Sequence, residues 1–73
     1  MSLNPLPLRD VKRKLEATGF YVASQRGSHV KFAKQTSDGL RTAIVPRHKD
    51  VSLGTLRSIL RQAGLSVDEF NGL

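Results

Sequence analysis

Apolar residues near the beginning of the chain recur with the period of a helix. Three of them share one helical face: Leu8, Val11 and Leu15. Pro7 suits the first turn of a helix, where its missing N–H costs nothing, and Gly19 is a natural left-handed cap for the helix end. The pattern therefore predicts a helix over residues 7–17.

A second apolar stripe with helical spacing lies near the end of the chain. Its members are Leu53, Leu56, Ile59, Leu60 and Ala63. Ser52 is suited to the N-cap of this helix, and Gly64 to its C-terminal cap. Ser66 and Glu69 have the spacing of a capping box, so we expect a short final helix that runs through Phe70.

Between the two helical stripes the hydrophobic period changes to two. Three segments are typical of strands: residues 20–23, 28–34 and 40–45. Pro46 ends the third strand because it cannot donate to a ladder. Turn signals separate the strands at residues 25–27 and at Asp38-Gly39. Short turns between three consecutive strands predict an antiparallel sheet.

The element order α-β-β-β-α, with a short extra C-terminal helix, predicts one α+β domain over residues 1–73. Residues 1–6 are expected to form a flexible arm. Each long helix has one apolar face, so both helices should cover the same face of the sheet. Alternation places Phe32 on that covered face and leaves His29 and Lys31 on the opposite, open face.

Length and cysteine content exclude several classes of protein. The chain has 73 residues and no cysteine, which leaves room for one small domain with a thin core. Disulfide staples, thiolate catalysis and cysteine-ligated zinc are excluded. No apolar run approaches the ~20 residues of a membrane span, and the start of the chain lacks the apolar core of a secretory signal. We therefore expect a cytoplasmic protein without membrane contact or cofactor.

The net charge of +6 is concentrated in residues 26–49, which also contain both histidines. Asp38 is the one acidic residue there, and the basic residues are Arg26, Lys31, Lys34, Arg41, Arg47 and Lys49. A solubilising surface would account for such charge. We favour a phosphate-binding surface, with candidate contacts at Arg26, Lys31, Arg47, His48 and Lys49. The first helix adds further basic residues, diluted by acidic ones: Arg9, Lys12, Arg13 and Lys14.

His29 is the leading candidate for chemistry because it follows a Gly-Ser turn on the expected open face. A histidine can exchange a proton near neutral pH. Beside a phosphodiester it could take the proton of a ribose 2′ hydroxyl, whose oxygen would attack the phosphorus without a metal. Lys31, Arg26 or Arg47 could stabilise the developing charge. Taken alone, a surface histidine more often has no such role.

Two other residues have weaker signals. His48 could donate a proton to the leaving 5′ oxygen, contact a second phosphate or be an ordinary loop residue, and on its own the last is preferred. No cluster of acidic residues accompanies the histidines, so no catalytic metal is expected. Tyr21 is the one aromatic residue expected on the open face. A single ring makes no stacking platform, which favours a reader of backbone and shape.

Three segments together closely resemble the HicA toxins of bacterial type II toxin–antitoxin systems. They are Gly-Ser-His at 27–29, Val-Pro-Arg-His-Lys at 45–49 and GTLRSILRQAGL at 54–65. The Gly-Ser-His segment alone is a weak signal. The long third segment, preceded by the Pro-x-His loop, is highly specific. The resemblance covers residues 10–70.

The resemblance implies a double-stranded-RNA-binding-like fold and an mRNA interferase that cleaves RNA independently of translation and arrests growth. The histidine of Gly-Ser-His, His29 here, would be essential. A HicB antitoxin would bind the toxin, mask this region and repress the operon with it. The free toxin would be a monomer and would form a hetero-oligomer with the antitoxin. Some members carry a second histidine directly after the first, where this chain has Val30.

Two other functions fit the same charge and fold. A non-catalytic RNA-binding domain would bind RNA without producing fragments, since fold does not fix function. A protein-interaction domain would use its basic face for an acidic partner. Salt-sensitive binding to RNA without any partner would count against this second alternative.

Overall fold

The chain folds in the order helix, three strands, helix and short helix, and the computed structural model describes residues 3–73. The elements are α1 (Leu8–Ala17), β1 (Tyr21–Arg26), β2 (His29–Thr36), β3 (Gly39–Pro46), α2 (Leu53–Ala63) and α3 (Val67–Asn71). The strands form one antiparallel sheet in the order β1-β2-β3. The predicted α+β architecture, like that of double-stranded-RNA-binding domains, is confirmed.

Local capping signals correctly located both ends of α2 and the start of α3, and α3 ends at Asn71, one residue beyond the predicted Phe70. The side chain of Ser52 accepts a hydrogen bond from the Thr55 N–H, and Gly64 ends α2 in the left-handed conformation at φ 74°. The predicted capping box at the start of α3 is present in full. The predicted α1 is confirmed, and it begins one residue later, because Pro7 is the extended N-cap and lies before the first turn.

The core lies between one face of the sheet and the helices. Its largest fully buried side chains come from every layer: Val11, Leu15, Phe32, Val45, Val51, Leu56, Ile59 and Phe70. The short helix α3 contributes Phe70, which is completely buried. Burial of both helical stripes against the same sheet face leaves the other face, which we call the open face, without a covering layer.

The first hairpin differs from its prediction. Residues 25–27 were expected to form the turn, but β1 continues to Arg26 and pairs it with His29. The turn consists of Gly27 and Ser28, with Gly27 at φ 57° and no positive φ at Ser28. A two-residue turn with positive φ only at its first position has the type II′ pattern, which suits hairpins and favours glycine at that position.

A β-bulge in β1 decides which of its side chains reach the open face. The register with β2 shifts between Val22 and Ser24, so Ala23 is an extra residue. Simple alternation from Tyr21 would place Arg26 on the covered face. The bulge reverses the alternation after Val22 and brings Arg26 to the open face.

The open face is defined by the residues that alternate with buried core positions. They are Tyr21, Ser24 and Arg26 on β1; His29, Lys31, Ala33 and Gln35 on β2; and Leu40, Thr42, Ile44 and Pro46 on β3.

The described part of the expected N-terminal arm is anchored to the rest of the domain. Leu3 is buried in the core. Leu6 forms an isolated antiparallel bridge with Val51, in which the Val51 N–H donates to the Leu6 carbonyl at 2.7 Å. The first two residues of the expected arm lie outside the described residues.

Lys14 is buried, although its sequence position suggested a surface charge on α1. Its Nζ donates to the carbonyl oxygens of Phe70 at 3.0 Å and Leu73 at 3.1 Å. The same ammonium lies 5.1 Å from the centre of the Phe70 ring. Lys14 is only 9% exposed, so it fastens the C-terminal helix to α1.

Candidate active site on the open face

A groove on the open face lies at the end of the sheet formed by the first hairpin. It has a volume of about 480 Å³ and is lined by Ser24, Arg26, His29, Lys31 and Ile44. Four of these five side chains are polar, and two of them carry a permanent positive charge. The groove therefore combines a proton-exchanging group with cations in a place that solvent and a polyanion can reach.

Strand register arranges the lining residues in two adjacent rows. Arg26 lies directly opposite His29, while Lys31 lies between Ser24 on β1 and Ile44 on β3. Directly opposite residues on one sheet face have Cβ atoms about 4.5–5.5 Å apart. Arg26 and Lys31 therefore flank His29 on two sides, and an anion beside the imidazole would meet both cations.

The imidazole of His29 has one nearby polar partner. Nδ1 of the ring lies 3.4 Å from Oγ of Ser28. A neutral imidazole carries its proton on one nitrogen and accepts on the other. When Nδ1 holds the proton and donates it to Ser28, Nε2 has a free lone pair. In this tautomer Nε2 is the nitrogen that can accept a proton.

The loop after β3 approaches the hairpin through its backbone. The Arg47 N–H donates to the Ser28 carbonyl at 2.6 Å, so the loop begins beside the Gly27-Ser28 turn. The side chains of Arg47, His48 and Lys49 are exposed and do not line the groove. The structure thus brings three of the six predicted site residues together in the groove, and the side chains of the other three lie outside its lining.

The basic residues in the window 26–49 do not form one patch, contrary to what their concentration in sequence suggested. Lys34 lies on the covered side of the sheet, with Nζ 5.8 Å from the centre of the Phe20 ring. Arg41 is opposite Lys34 in the register, and its Nη1 donates to the Gln62 carbonyl at 3.1 Å. These two cations hold structural elements together on the side away from His29.

Sequence reasoning missed two groove residues, Ser24 and Ile44. Ser24 follows the bulge, and alternation counted from Tyr21 would have placed it on the covered face. Ile44 is apolar, and a search for chemistry-bearing groups passes over such residues. The turn glycine at position 27 was the available signal, because counting strand phase backward from the turn gives Arg26 and Ser24 the correct face.

Two features are absent from the described part of the chain. In residues 3–73, no three histidine, cysteine or acidic side chains are grouped so that they could hold a metal ion. Within the same residues, no helix has the length and apolarity needed to cross a membrane.

Comparison with known proteins identifies the family of the chain. No curated protein sequence matches the chain significantly. The model of one protein family, described as the HicA toxin of bacterial toxin–antitoxin systems, matches residues 8–65. This match extends from α1 through the groove to the residue after the α2 cap, which is most of the chain, and the protein therefore belongs to the HicA toxin family.

Proposed function

We propose that this HicA-family toxin is a metal-independent mRNA endoribonuclease that uses His29 as its general base. The observation that carries the proposal is the position of His29 in an open groove, directly opposite Arg26 and one row from Lys31. The basic groove favours a phosphodiester ligand, and the histidine supplies the group that can move a proton.

Binding begins with the RNA backbone. A phosphate beside His29 contacts Arg26 and Lys31, whose charges offset that of the phosphate oxygens. Each neutralised phosphate releases counterions, so affinity falls with rising salt concentration. The same two cations then stabilise the additional negative charge that develops on the phosphoryl oxygens in the transition state.

The reaction proceeds by transfer of the phosphoryl group to the neighbouring hydroxyl of the substrate. Nε2 of His29 takes the proton of the ribose 2′ hydroxyl, and the 2′ oxygen forms a bond to phosphorus. The bond from phosphorus to the 5′ oxygen breaks, and water in the open groove gives that oxygen a proton. The products are a 2′,3′-cyclic phosphate and a 5′ hydroxyl.

The test compares the two histidines of the chain. His29→Gln removes the base and keeps a polar side chain of similar length, whereas His48→Gln changes an exposed residue outside the groove. Cleavage of a single-stranded RNA oligonucleotide, measured with a chelator present, should fall by about 10²- to 10⁴-fold in His29→Gln. The His48→Gln variant should cleave at nearly the parent rate.

The 2′ hydroxyl of the RNA substrate provides a second check. Replacing the 2′ hydroxyl at the cleaved position by hydrogen should abolish cleavage there, because the nucleophile is then missing. A folded His29→Gln protein that cleaves at the parent rate would refute the role of His29. Fragments from the 2′-deoxy substrate at the same position would refute transfer to the 2′ oxygen.

We also propose that the partner expected for a HicA-family toxin is a HicB antitoxin that covers the open face. Its acidic side chains would meet Arg26 and Lys31 and exclude RNA from the groove. The free toxin would act as a monomer in the cytoplasm, where its mRNA substrate is found, and would form a hetero-oligomer with HicB. Adding the antitoxin to the cleavage assay should stop the reaction at stoichiometric amounts.

A further inference from the structure

The open face carries three large apolar side chains that the proposed reaction does not use. Tyr21, Ile44 and Leu40 are 52%, 39% and 59% exposed, and they are the exposed large hydrophobic residues of the described chain. All three belong to the face that bears His29. Scattered surface apolar residues need no explanation, but these share one face with the reactive groove.

The register places two of them next to the groove. Ile44 lies opposite Lys31 and lines the groove itself. Tyr21 lies in the next row, opposite Ala33. Rows on one sheet face are about 6.6 Å apart, so the Tyr21 row is ~13 Å from the row of His29. Basic and apolar side chains thus lie in successive rows of the same sheet face.

We propose that Ile44 and Tyr21 form a subsite for unpaired nucleobases, in which Ile44 packs against the base beside the cleaved phosphate and the Tyr21 ring stacks on a neighbouring base. The inference deepens the proposed function and rests on it. It also revises the sequence-based expectation that one ring makes no platform, because the structure adds an exposed apolar side chain, Ile44, on the same face and one row nearer to His29.

Charge continuity favours RNA as the occupant of this subsite. No acidic residue belongs to the open face as described from Tyr21 to Pro46. A strand whose phosphates are held by Arg26 and Lys31 therefore meets no repulsion when it continues toward Tyr21. Aromatic rings accept any base because every base has a π-face.

The geometry also requires that the RNA be single-stranded at this point. Bases inside an A-form duplex are stacked on one another and paired, and their faces are closed to a protein side chain. A ring that stacks on a base therefore selects a loop, a bulge or an unpaired segment. The preference for unpaired RNA would arise at Tyr21 and Ile44, whereas the basic residues hold the backbone.

The experiment measures binding, so that it does not depend on cleavage. The probe is a short fluorescent single-stranded RNA with methylated 2′ hydroxyls, and a second probe has abasic nucleotides around the same phosphates. Tyr21→Ala should weaken binding of the first probe by about 5- to 150-fold, the range for loss of one base–aromatic stack. Tyr21→Phe should bind within about twofold of the parent, because it keeps the ring.

The abasic probe separates stacking from backbone contact. Tyr21→Ala and the parent should bind it equally, because no base is present to stack. Ile44→Thr, which keeps the β-branched shape, should likewise weaken binding of the intact probe more than that of the abasic one. The matched control Leu40→Ala changes an exposed apolar residue farther along the same face and should leave both affinities nearly unchanged.

Several outcomes would overturn the subsite. One is equal affinity of Tyr21→Ala and the parent for the intact probe, and another is an equal loss of affinity for the intact and the abasic probe. The parent would also contradict the subsite if it bound the probe and a double-stranded form of the same RNA equally well. So would a Tyr21→Ala variant that loses affinity only for the antitoxin. If instead the parent fails to cleave any RNA but Tyr21→Ala loses affinity only for the intact probe, the proposed reaction fails and the subsite stands.

Discussion

The interaction of Lys14 with the C-terminal helix leads to a quantitative prediction about stability. Replacing Lys14 by methionine keeps a flexible apolar stem of similar length and removes the ammonium. The change deletes hydrogen bonds to the carbonyls of Phe70 and Leu73, at 3.0 and 3.1 Å. The Phe70 carbonyl, near the end of α3, keeps the Leu73 N–H at 3.2 Å as a donor.

The expected magnitude follows from opposing contributions. A hydrogen bond to a charged group stabilises a protein by about 1.5–3 kcal/mol. Loss of the cation–π contact costs roughly 0.5–1 kcal/mol, which a methionine sulfur against the Phe70 ring offsets by about 0.3–1.5 kcal/mol. Since the Lys14 ammonium no longer has to be desolvated, we expect a net loss of about 2 kcal/mol.

Thermal and urea unfolding followed by circular dichroism should measure this loss. For a domain of 60–100 residues, 1 kcal/mol shifts the Tm by about 4–8 °C, so Lys14→Met should lower it by ~8–16 °C. The matched control is Lys12→Met, which changes an exposed lysine of the same helix. A surface substitution of this kind should change the free energy of unfolding by about 0.5 kcal/mol or less.

Hydrogen exchange locates the effect. If Lys14 fastens α3 to α1, the amides of α3 should exchange faster in Lys14→Met than in the parent, beyond the increase that global destabilisation produces. Equal Tm values for Lys14→Met and Lys12→Met would refute the reasoning. So would a lower Tm accompanied by unchanged relative protection of α3, because the stabilisation would then come from elsewhere.

Two further predictions concern charge. Arg26→Ala should reduce the slope of log affinity for RNA against log salt by about 1, whereas Lys34→Ala, on the covered side, should leave the slope unchanged; equal slopes for both variants would contradict the separation of charge between the two faces. The Ser66 backbone N–H and side chain hold the pKa of Glu69 below its ordinary 4.5. At a pH above 4.5 the ionised Glu69 carboxylate therefore stabilises the fold. This contribution is lost as the pH falls through the lowered pKa of Glu69. Tm measured from neutral to acid pH should fall less in Glu69→Gln than in the parent, and parallel curves would contradict this assignment.

The helices could be predicted from sequence because their signals are local. The apolar stripe of α2, the Ser52 cap and the Gly64 stop lie within a few residues of what they determine. Three strands and their order could be predicted for the same reason. The position of His29 on the open face also followed from alternation within a single strand.

The remaining features depend on contacts between distant residues. The side that Arg26 faces depends on the extra residue at Ala23, and only pairing with β2 reveals this bulge. Lys14 has the sequence context of a surface lysine, and its partners lie 56 and 59 residues away. Lys34 and Arg41 appeared to belong to the reactive surface because a charge window ignores the two faces of a strand.

The bulge at Ala23 also affects how the sheet meets other proteins. β1 and β3 are the two edges of the sheet. At the β3 edge, the Ile44 N–H donates at 2.9 Å to the side chain of Gln62 on α2. No helix does this for β1 in the described chain. An exposed regular edge invites pairing with another chain and aggregation, and a bulge interrupts that pairing. The residue that brings Arg26 to the groove thus also protects the protein from edge-to-edge association.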